Sequence, residues 1–147
     1  MANKGKFFPK NVDKYKGDAK KIIHRSSWEK QFMILLDRDQ RVIQWASESF
    51  AIAYRSPIDN KVHRYYPDFI ATIKHKSGLE KTYIIEIKPH RETQPPKINN
   101  TKKKKKTILT EQITYARNKA KFEAAEKFCT KNGWEFKIIT EKHMRFF

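Results

Sequence analysis

The sequence is poor in cysteine and glycine, and each scarcity excludes a class of functional site. Cys129 is the only cysteine among 147 residues, so the chain carries neither an internal disulfide framework nor a thiolate zinc site. The four glycines form no Gly-rich phosphate loop, which argues against a nucleotide-hydrolysing motor. A lone cysteine is typical of a protein that works in a reducing cytoplasm.

Long apolar stretches and a secretion signal are also missing. No apolar run is longer than residues 32–36, and the mean hydropathy is −0.86, so we expect no membrane span. The N-terminal stretch MANKGKFFPKN lacks the apolar core of a signal peptide.

Acidic residues are scarce relative to basic ones. Asp and Glu number 16 against 33 Lys and Arg, which gives a formal net charge of +17 and a pI near 10.0. Such an excess predicts a polyanionic partner. The length of 147 residues fits one domain with a proper core.

The N-terminal part of the chain divides into a basic stretch and a helix. Residues 1–25 are irregular and lysine-rich, and we interpret them as an arm that lies on the domain or on nucleic acid, with the domain itself spanning 26–147. Ser26 and Glu29 have the spacing of a helix capping box. The helix they open should pack one apolar face on a sheet, namely Trp28, Phe32, Leu35 and Leu36.

The remaining pattern predicts three strands, a long helix and a final strand. The segment VIQWASESFAIAY has the composition of one strand, and a β-hairpin follows it. Residues 91–107 contain prolines and a lysine run and predict a basic mobile loop. A helix is expected over 110–131, with Asn132 and Gly133 as its stop and an apolar stripe of Ile113, Ala116, Ala120, Ala124 and Phe128. The last strand, EFKIIT, suits a parallel position beside the hairpin, which gives the order α-β-β-β-α-β.

The hairpin YYPDFIATIKHKSGLEKTYIIEIKP places charged residues inside an apolar pattern. Two β-rich runs, 69–73 and 82–87, flank a Lys-Ser-Gly tip. If that tip is the loop, His75 faces Leu79 and Asp68 lies directly opposite Glu86. Directly opposed residues have Cβ atoms only ~5 Å apart, so the two carboxylates repel unless a positive charge lies between them. A divalent cation would remove this repulsion.

Strand alternation adds a lysine to this pair. Tyr83, Ile85 and Ile87 share one face, which we expect to be a core face, whereas Glu86 and Lys88 project from the other. Mg²⁺ prefers oxygen ligands and takes only one or two carboxylates, and a neighbouring ammonium can position a water for attack on phosphorus. A Glu-x-Lys pair on a strand is also common as a solvated ion pair. The matching register of Asp68 favours the metal site.

These pieces resemble the PD-(D/E)xK nuclease superfamily, which has the restriction-endonuclease-like fold. The resemblance implies an α/β core with a mixed central sheet flanked by helices. The segments KGKFFPKN, KYKGDAKKIIHRSSWEK, RYYPDF, IIEIKPHRETQPPK and IITE are further similar to the head completion nuclease family of T-even-type tailed bacteriophages, over nearly the whole chain. RYYPD and EIKP are also similar to the endonuclease subunit that cuts transposon ends.

The resemblance implies a role for each residue of the site. Asp68 and Glu86 would be metal carboxylates, Lys88 would position water and stabilise charge, and the backbone carbonyl of Ile87 would be a further ligand. An acidic residue on the first helix often joins the metal shell in this superfamily, and Glu29 stands at that place. Glu29 could equally serve only to cap Ser26. The implied cofactor is Mg²⁺ or Mn²⁺.

Basic residues beside this site are candidates for DNA binding. A charge run is usually a solvated loop, but one that follows a metal site can close over phosphates without reading bases. We therefore expect double-stranded DNA as the partner, with little sequence preference. The candidates are Arg64, Arg91, Lys97, Lys102, Lys103, Lys104, Lys105 and Lys106.

Two functions follow from the sequence. The first is a Mg²⁺-dependent DNA endonuclease or exonuclease that trims or cuts packaged DNA during phage head completion. The second is a non-catalytic protein that binds DNA ends during head assembly. Intact Asp68, Glu86 and Lys88 favour the enzyme. Either function implies the host cytoplasm, with possible association with the virion at the head portal, and phage head or neck proteins as further partners.

Overall fold

The computed structural model describes residues 4–97 and 102–143, in which a four-stranded sheet lies between two helices. Across the sheet the strands are β3 (Val42–Ser47), β6 (Phe69–Lys74), β7 (Glu80–Ile87) and β8 (Glu135–Ile139), where β8 runs parallel to β7 and the other pairs are antiparallel. The mixed sheet with flanking helices confirms the predicted α/β class, and neither helix is long and apolar enough to cross a membrane. The elements are β1 Gly5–Lys6, β2 Ile23–His24, α1 Ser27–Arg38, β3 Val42–Ser47, β4 Ile52–Arg55, β5 Val62–Tyr65, β6 Phe69–Lys74, β7 Glu80–Ile87, α2 Lys105–Asn132 and β8 Glu135–Ile139.

The central hairpin, β6 and β7, has the predicted register. Phe69 pairs with Ile85, and at the tip the backbone N–H of His75 donates to the carbonyl of Leu79 over 2.8 Å. Gly78 in the tip has φ 87°, a left-handed conformation that favours glycine. Extending the register by one pair sets Asp68, directly before β6, opposite Glu86.

The sheet is buried on both faces, and the two helices cover different faces. On the α1 face, Phe32 of the helix lies in one core with Trp45 and Ile85 of the sheet. On the α2 face, Ile84 lies in a second core with Ala125 of the helix. Because successive side chains of β7 alternate, Glu86 points to the same face as Ile84, so the site is built on the α2 face.

The segment VIQWASESFAIAY is not the single strand that its composition predicts. It divides into β3, in the main sheet, and β4, which pairs with β5 in a separate two-stranded sheet. The chain turns at Glu48, whose φ of 46° is outside the extended region. The residues on both sides of Glu48 have high β-propensity, so the sequence did not indicate this turn.

Helix α2 begins at Lys105 rather than at Thr110, so it includes the last three residues of the loop predicted over 91–107. Lys105 and Lys106 belong to the first turn of α2, and His90–Thr93 forms a 3-10 turn. Residues 98–101 of that loop lie outside the described residues. The predicted stop is confirmed, because Gly133 caps α2 with φ 71°.

The buried stripe of α2 differs from the predicted one by about one position. Fully buried residues are Asn118, Ala125 and Cys129, whereas the predicted Ala120, Ala124 and Phe128 are only partly buried beside them. The predicted Ile113 and Ala116 are half-buried. Sequence hydrophobicity could not indicate Asn118, because a polar amide normally faces solvent.

The stretch 5–24 packs on the domain. Strands β1 and β2 pair, and Phe7 and Ile22 enter the core of the α1 face. The carboxylate of Asp37, 2% exposed at the end of α1, accepts the backbone N–H groups of Lys10 and Asn11, both over 2.9 Å. A buried carboxylate with two such donors is satisfied without a counter-ion.

Candidate active site

Asp68 and Glu86 face each other at the end of the central hairpin. Asp68 Oδ2 accepts the backbone N–H of Ile87 over 2.8 Å, which fixes the aspartate against β7. Burial raises the pKa of Asp68 well above its usual range and the charge of Glu86 raises it further, whereas the Ile87 N–H lowers it. Burial likewise raises the pKa of Glu86, which is 7% exposed. Both carboxylates are therefore protonated more readily than they would be in water.

Lys88 lies beside Glu86 in a sheltered position. Its Nζ is 3.6 Å from Glu86 Oε2, and the two side chains are 21% and 9% exposed. The backbone N–H of Lys88 donates to the carbonyl of Ile139 over 3.0 Å, which holds the end of β7 against β8. This limited exposure does not fit a fully solvated Glu-x-Lys pair.

Tyr65 is a member of the site that the sequence pattern did not indicate. Its hydroxyl donates to Glu86 Oε1 over 2.6 Å. Burial and then the charge of Glu86 raise the pKa of Tyr65, so the phenol stays protonated and keeps donating. The RYYPD segment contained this tyrosine three positions before Asp68, but nothing in the sequence paired it with Glu86.

Lys121 of α2 is a second cation that the sequence did not reveal. Its Nζ lies 5.9 Å from the ring centroid of Tyr54 and 5.8 Å from that of Tyr65. Burial and then the nearby charge of Lys88 lower the pKa of Lys121, whereas Glu86 raises it. Within the described parts of the chain, no carboxylate forms an ion pair with Lys121, although all of its neighbours on this face are partly or fully buried. The site therefore has an ammonium group available for an anion.

Glu29 caps α1, and its place in a metal shell stays a prediction. The Ser26 hydroxyl accepts the backbone N–H of Glu29 over 3.1 Å, and Glu29 Oε1 accepts that of Arg25 over 3.2 Å, one residue beyond the expected capping box. Burial raises the pKa of Glu29, and its charge contributes to the raised pKa of Asp68. Glu29 thus caps α1 and also acts electrostatically on the site.

Glu48 connects the turn after β3 to the same region. Its carboxylate accepts two hydrogen bonds from the Arg25 guanidinium, over 2.9 and 3.0 Å, and its backbone N–H donates to the carbonyl of Asp68 over 3.1 Å. An Arg partner bound through two hydrogen bonds leaves this carboxylate little capacity to bind a metal ion. Glu48 positions the backbone of Asp68.

The donor set fits a small, hard cation. Among residues 4–97 and 102–143, no three His, Cys, Asp or Glu side chains form a group that could hold a metal ion, so Asp68 and Glu86 stand as a pair. The N–H and C=O of one strand residue point to the same side, and the Ile87 N–H points to Asp68, so its carbonyl faces the same site. Two carboxylates and a carbonyl, with water and phosphate in the other positions, suit Mg²⁺.

The predicted DNA-binding residues lie in three places. Arg64 is exposed on β5 next to Tyr65, and Arg91 and Lys97 are exposed in the segment after β7. The lysines 102–106 lie at the start of α2, where Lys103 is paired with Glu111 over 2.9 Å. The structure brings Arg91, Lys97 and Lys103 to one cavity and leaves Arg64 apart from it.

Comparison with known sequences identifies the family. The family described as "TnsA-like endonuclease N terminal" matches residues 39–141, a range that includes Asp68, Glu86 and Lys88. The chain belongs to the TnsA-like endonucleases. This family has the restriction-endonuclease-like fold, so the predicted fold and superfamily resemblance are confirmed.

A curated relative supports the same conclusion over the full length. The chain is 42% identical over 147 residues to the "Head completion nuclease" of Enterobacteria phage T4, covering 99% of this chain and 95% of that protein. The prediction of a deoxyribonuclease is confirmed at the level of enzyme class. As a TnsA-like endonuclease, the protein takes DNA as its substrate.

Proposed function

We propose that this TnsA-like endonuclease hydrolyses phosphodiester bonds of double-stranded DNA with Mg²⁺ or Mn²⁺, at a centre formed by Asp68, Glu86 and Lys88. The observation that carries the proposal is the opposition of the two carboxylates, both with raised pKa, beside an ammonium at 3.6 Å. Such a pair is costly in a fold unless a cation binds there.

Each residue of the site has its own role in the proposed reaction. Asp68, Glu86 and the Ile87 carbonyl would hold the ion. When bound, the ion would neutralise the carboxylates and draw electron density from the phosphate oxygens. Lys88 orients the attacking water and stabilises the negative charge that develops on the phosphate as the bond to the leaving oxygen breaks. Tyr65 is a positioning residue, since its hydroxyl donates to Glu86 Oε1 and so orients the carboxylate.

The surrounding charges hold the substrate. Arg64, Arg91, Lys97 and the lysines 102–106 contact phosphates, which positions the duplex without reading bases. Lys121 faces the site from α2, where it binds the phosphate next to the reacting one. Glu29, whose charge acts on Asp68, would be a further carboxylate for the ion, and it keeps its role as a helix cap.

The biological setting is inferred from the phage relative. We infer that the protein trims or cuts packaged DNA during head completion, because the similar T4 protein is named a head completion nuclease. This setting implies the host cytoplasm during assembly, the head portal as the place of action, and head or neck proteins as partners.

The test is cleavage of circular and linear duplex DNA with Mg²⁺, with Mn²⁺ or with a chelator. We expect cleavage only with metal, and a loss on the order of 10³-fold in Asp68→Asn and Glu86→Gln. Glu80→Gln, at the exposed start of β7, is the matched control and should cleave like the wild type. Cutting of closed circles would show endonuclease action, whereas degradation of linear DNA alone would show exonuclease action.

Two results would contradict the proposal. Full activity in both site variants would place the reaction elsewhere. A wild type that binds DNA but never cleaves it, with either metal, would favour the non-catalytic DNA-end-binding protein instead.

A further inference from the structure

A cavity of about 780 Å³ is lined from His90 onward, two residues after Lys88 in the chain. It lies between the segment that follows β7 and the first half of α2. The α2 residues that line it, among them Thr114, Tyr115 and Asn118, share one helix face. Lys121 follows Asn118 by one turn, about 4.5 Å along the axis. The cavity therefore opens next to the place where the reacting phosphate would bind.

Asn118 indicates that the cavity takes a ligand with hydrogen-bonding groups. It is 7% exposed and lines both this cavity and a smaller one of about 140 Å³ beside it. Its amide forms no hydrogen bond with any other residue of the described ranges. The amide offers a donor and an acceptor side by side to a ligand in the cavity.

The walls of the cavity suit a flat, uncharged group better than a phosphate alone. Tyr115, Pro95 and Pro96 supply apolar surfaces. Two carboxylates, Glu92 and Glu111, also line the cavity, and they would repel an anion placed deep inside. The Glu111 charge is partly offset by Lys103 at 2.9 Å.

Cations mark the mouth of the cavity. Arg91 and Lys97 line it and are both exposed to solvent, where they can contact a sugar-phosphate backbone. Apolar walls with a buried amide inside and cations outside match the parts of a nucleotide, namely a base that stacks and a phosphate that stays at the rim.

We propose that this cavity binds an unpaired nucleotide of the DNA substrate next to the cleaved bond, an inference that rests on the proposed nuclease function. The base stacks on Tyr115 and its hydrogen-bonding edge meets the Asn118 amide. In a duplex that edge is engaged by the opposite base and both faces are stacked, so only an unpaired base can enter. The preferred substrate is therefore a DNA end with a single-stranded tail, and not a blunt end.

The test measures binding without cleavage. Fluorescence anisotropy in a chelator compares labelled duplexes that are blunt or carry a short 5′ or 3′ tail, with wild type, Tyr115→Ala and Asn118→Leu. We expect the wild type to bind a tailed end about tenfold more tightly than a blunt one, since stacking of one base on an aromatic ring contributes this much. Each variant should lose most of that ratio. Gln112→Leu, which removes an exposed amide from the same helix outside the cavity, is the matched control and should keep it.

Equal affinity of the wild type for tailed and blunt ends would overturn the proposal, as would variants that keep the wild-type ratio. A ratio of the two affinities near one would indicate that the cavity binds a protein segment and not a nucleotide. Circular dichroism shows whether Asn118→Leu is folded, and the half-buried Tyr115 gives an independent variant if it is not. Cleavage of blunt DNA with metal, measured separately, tests the nuclease proposal: cleavage without a tail preference refutes only the cavity assignment, and a tail preference without cleavage refutes only the nuclease.

Discussion

The two faces of the central sheet are built for different tasks. On the α1 face the buried side chains are mainly hydrocarbon, and the rings of Phe32 and Phe69 lie 5.3 Å apart. On the α2 face the core residues alternate with Glu86, Asn118 and Lys121, whose polar groups face the site or the cavity. The comparison indicates that one face provides stability, whereas the other sacrifices apolar packing in order to hold charges near a substrate.

The first prediction tests this difference between the faces with one substitution on each face. Phe32→Ala should lower the free energy of unfolding by about 3–5 kcal/mol, because it leaves a cavity in a closely packed core. The folded fraction should cleave DNA as well as the wild type does. Asp68→Asn should do the reverse, abolishing cleavage and raising the melting temperature in a chelator by removing a like-charge repulsion. Thermal unfolding and cleavage measured on the same preparations check both halves.

The stability difference between Asp68→Asn and the wild type should depend on pH. Because the folded-state pKa values of Asp68 and Glu86 are raised, the folded protein binds more protons than the unfolded chain in the window between the two sets of values. Stability without metal should then fall as the pH rises from the unfolded values through the folded ones. In Asp68→Asn this fall should be smaller. A pH dependence identical to that of the wild type would mean that the pKa of Asp68 is not raised in the folded protein.

The sequence predicted the hairpin because its information is local. The Lys-Ser-Gly tip sets the loop, the loop sets the register, and the register brings Asp68 to Glu86. Nothing comparable joins Tyr65 to Glu86 or Lys121 to the two tyrosine rings, since these contacts depend on how β5 and α2 pack on the sheet. An aromatic in a strand and a lysine in a helix each have an ordinary explanation, so neither pattern indicated a site.

The two errors in element boundaries have different causes. At Glu48 a residue of ordinary propensity adopts a positive φ because of tertiary contacts with Arg25 and Asp68, and propensity cannot report such contacts. At the start of α2 the lysine run suggested a loop, although lysine is a good helix former. In both places the charge pattern or the β-pattern continued across the true boundary.

The second prediction compares two tyrosines on the α2 face. Tyr54 and Tyr65 both lie under Lys121, but of the two only the Tyr65 hydroxyl donates to Glu86. Tyr65→Phe should reduce cleavage about tenfold and shift the pH profile of the rate, because Glu86 loses a hydrogen bond that stabilises its charged form. Tyr54→Phe, the matched control, should leave both unchanged. Equal effects in the two variants would show that the hydroxyl of Tyr65 does not position Glu86.

The last prediction concerns the lysines at the start of α2, where stability and binding favour opposite residues. Lys104, Lys105 and Lys106 are exposed at the N-terminus of the helix, whose dipole disfavours positive charge. Replacing all three with Gln should therefore stabilise the protein by a few tenths of a kcal/mol, about 0.3 or more at low salt. If the lysines bind phosphates, the same variant should bind DNA more weakly, and the slope of log affinity against log salt should fall by about 0.9 for each phosphate that the protein no longer neutralises.

A second triple variant separates local phosphate binding from net charge. Lys76, Lys127 and Lys131 are exposed at the hairpin tip and toward the far end of α2, so replacing them with Gln removes the same charge away from the site. A smaller change in slope for this control would show that the lysines at the helix start bind the DNA backbone. Equal slopes for the two variants would show instead that they act only through the overall charge of +17, and phosphate binding would then be assigned to Arg64, Arg91 and Lys97.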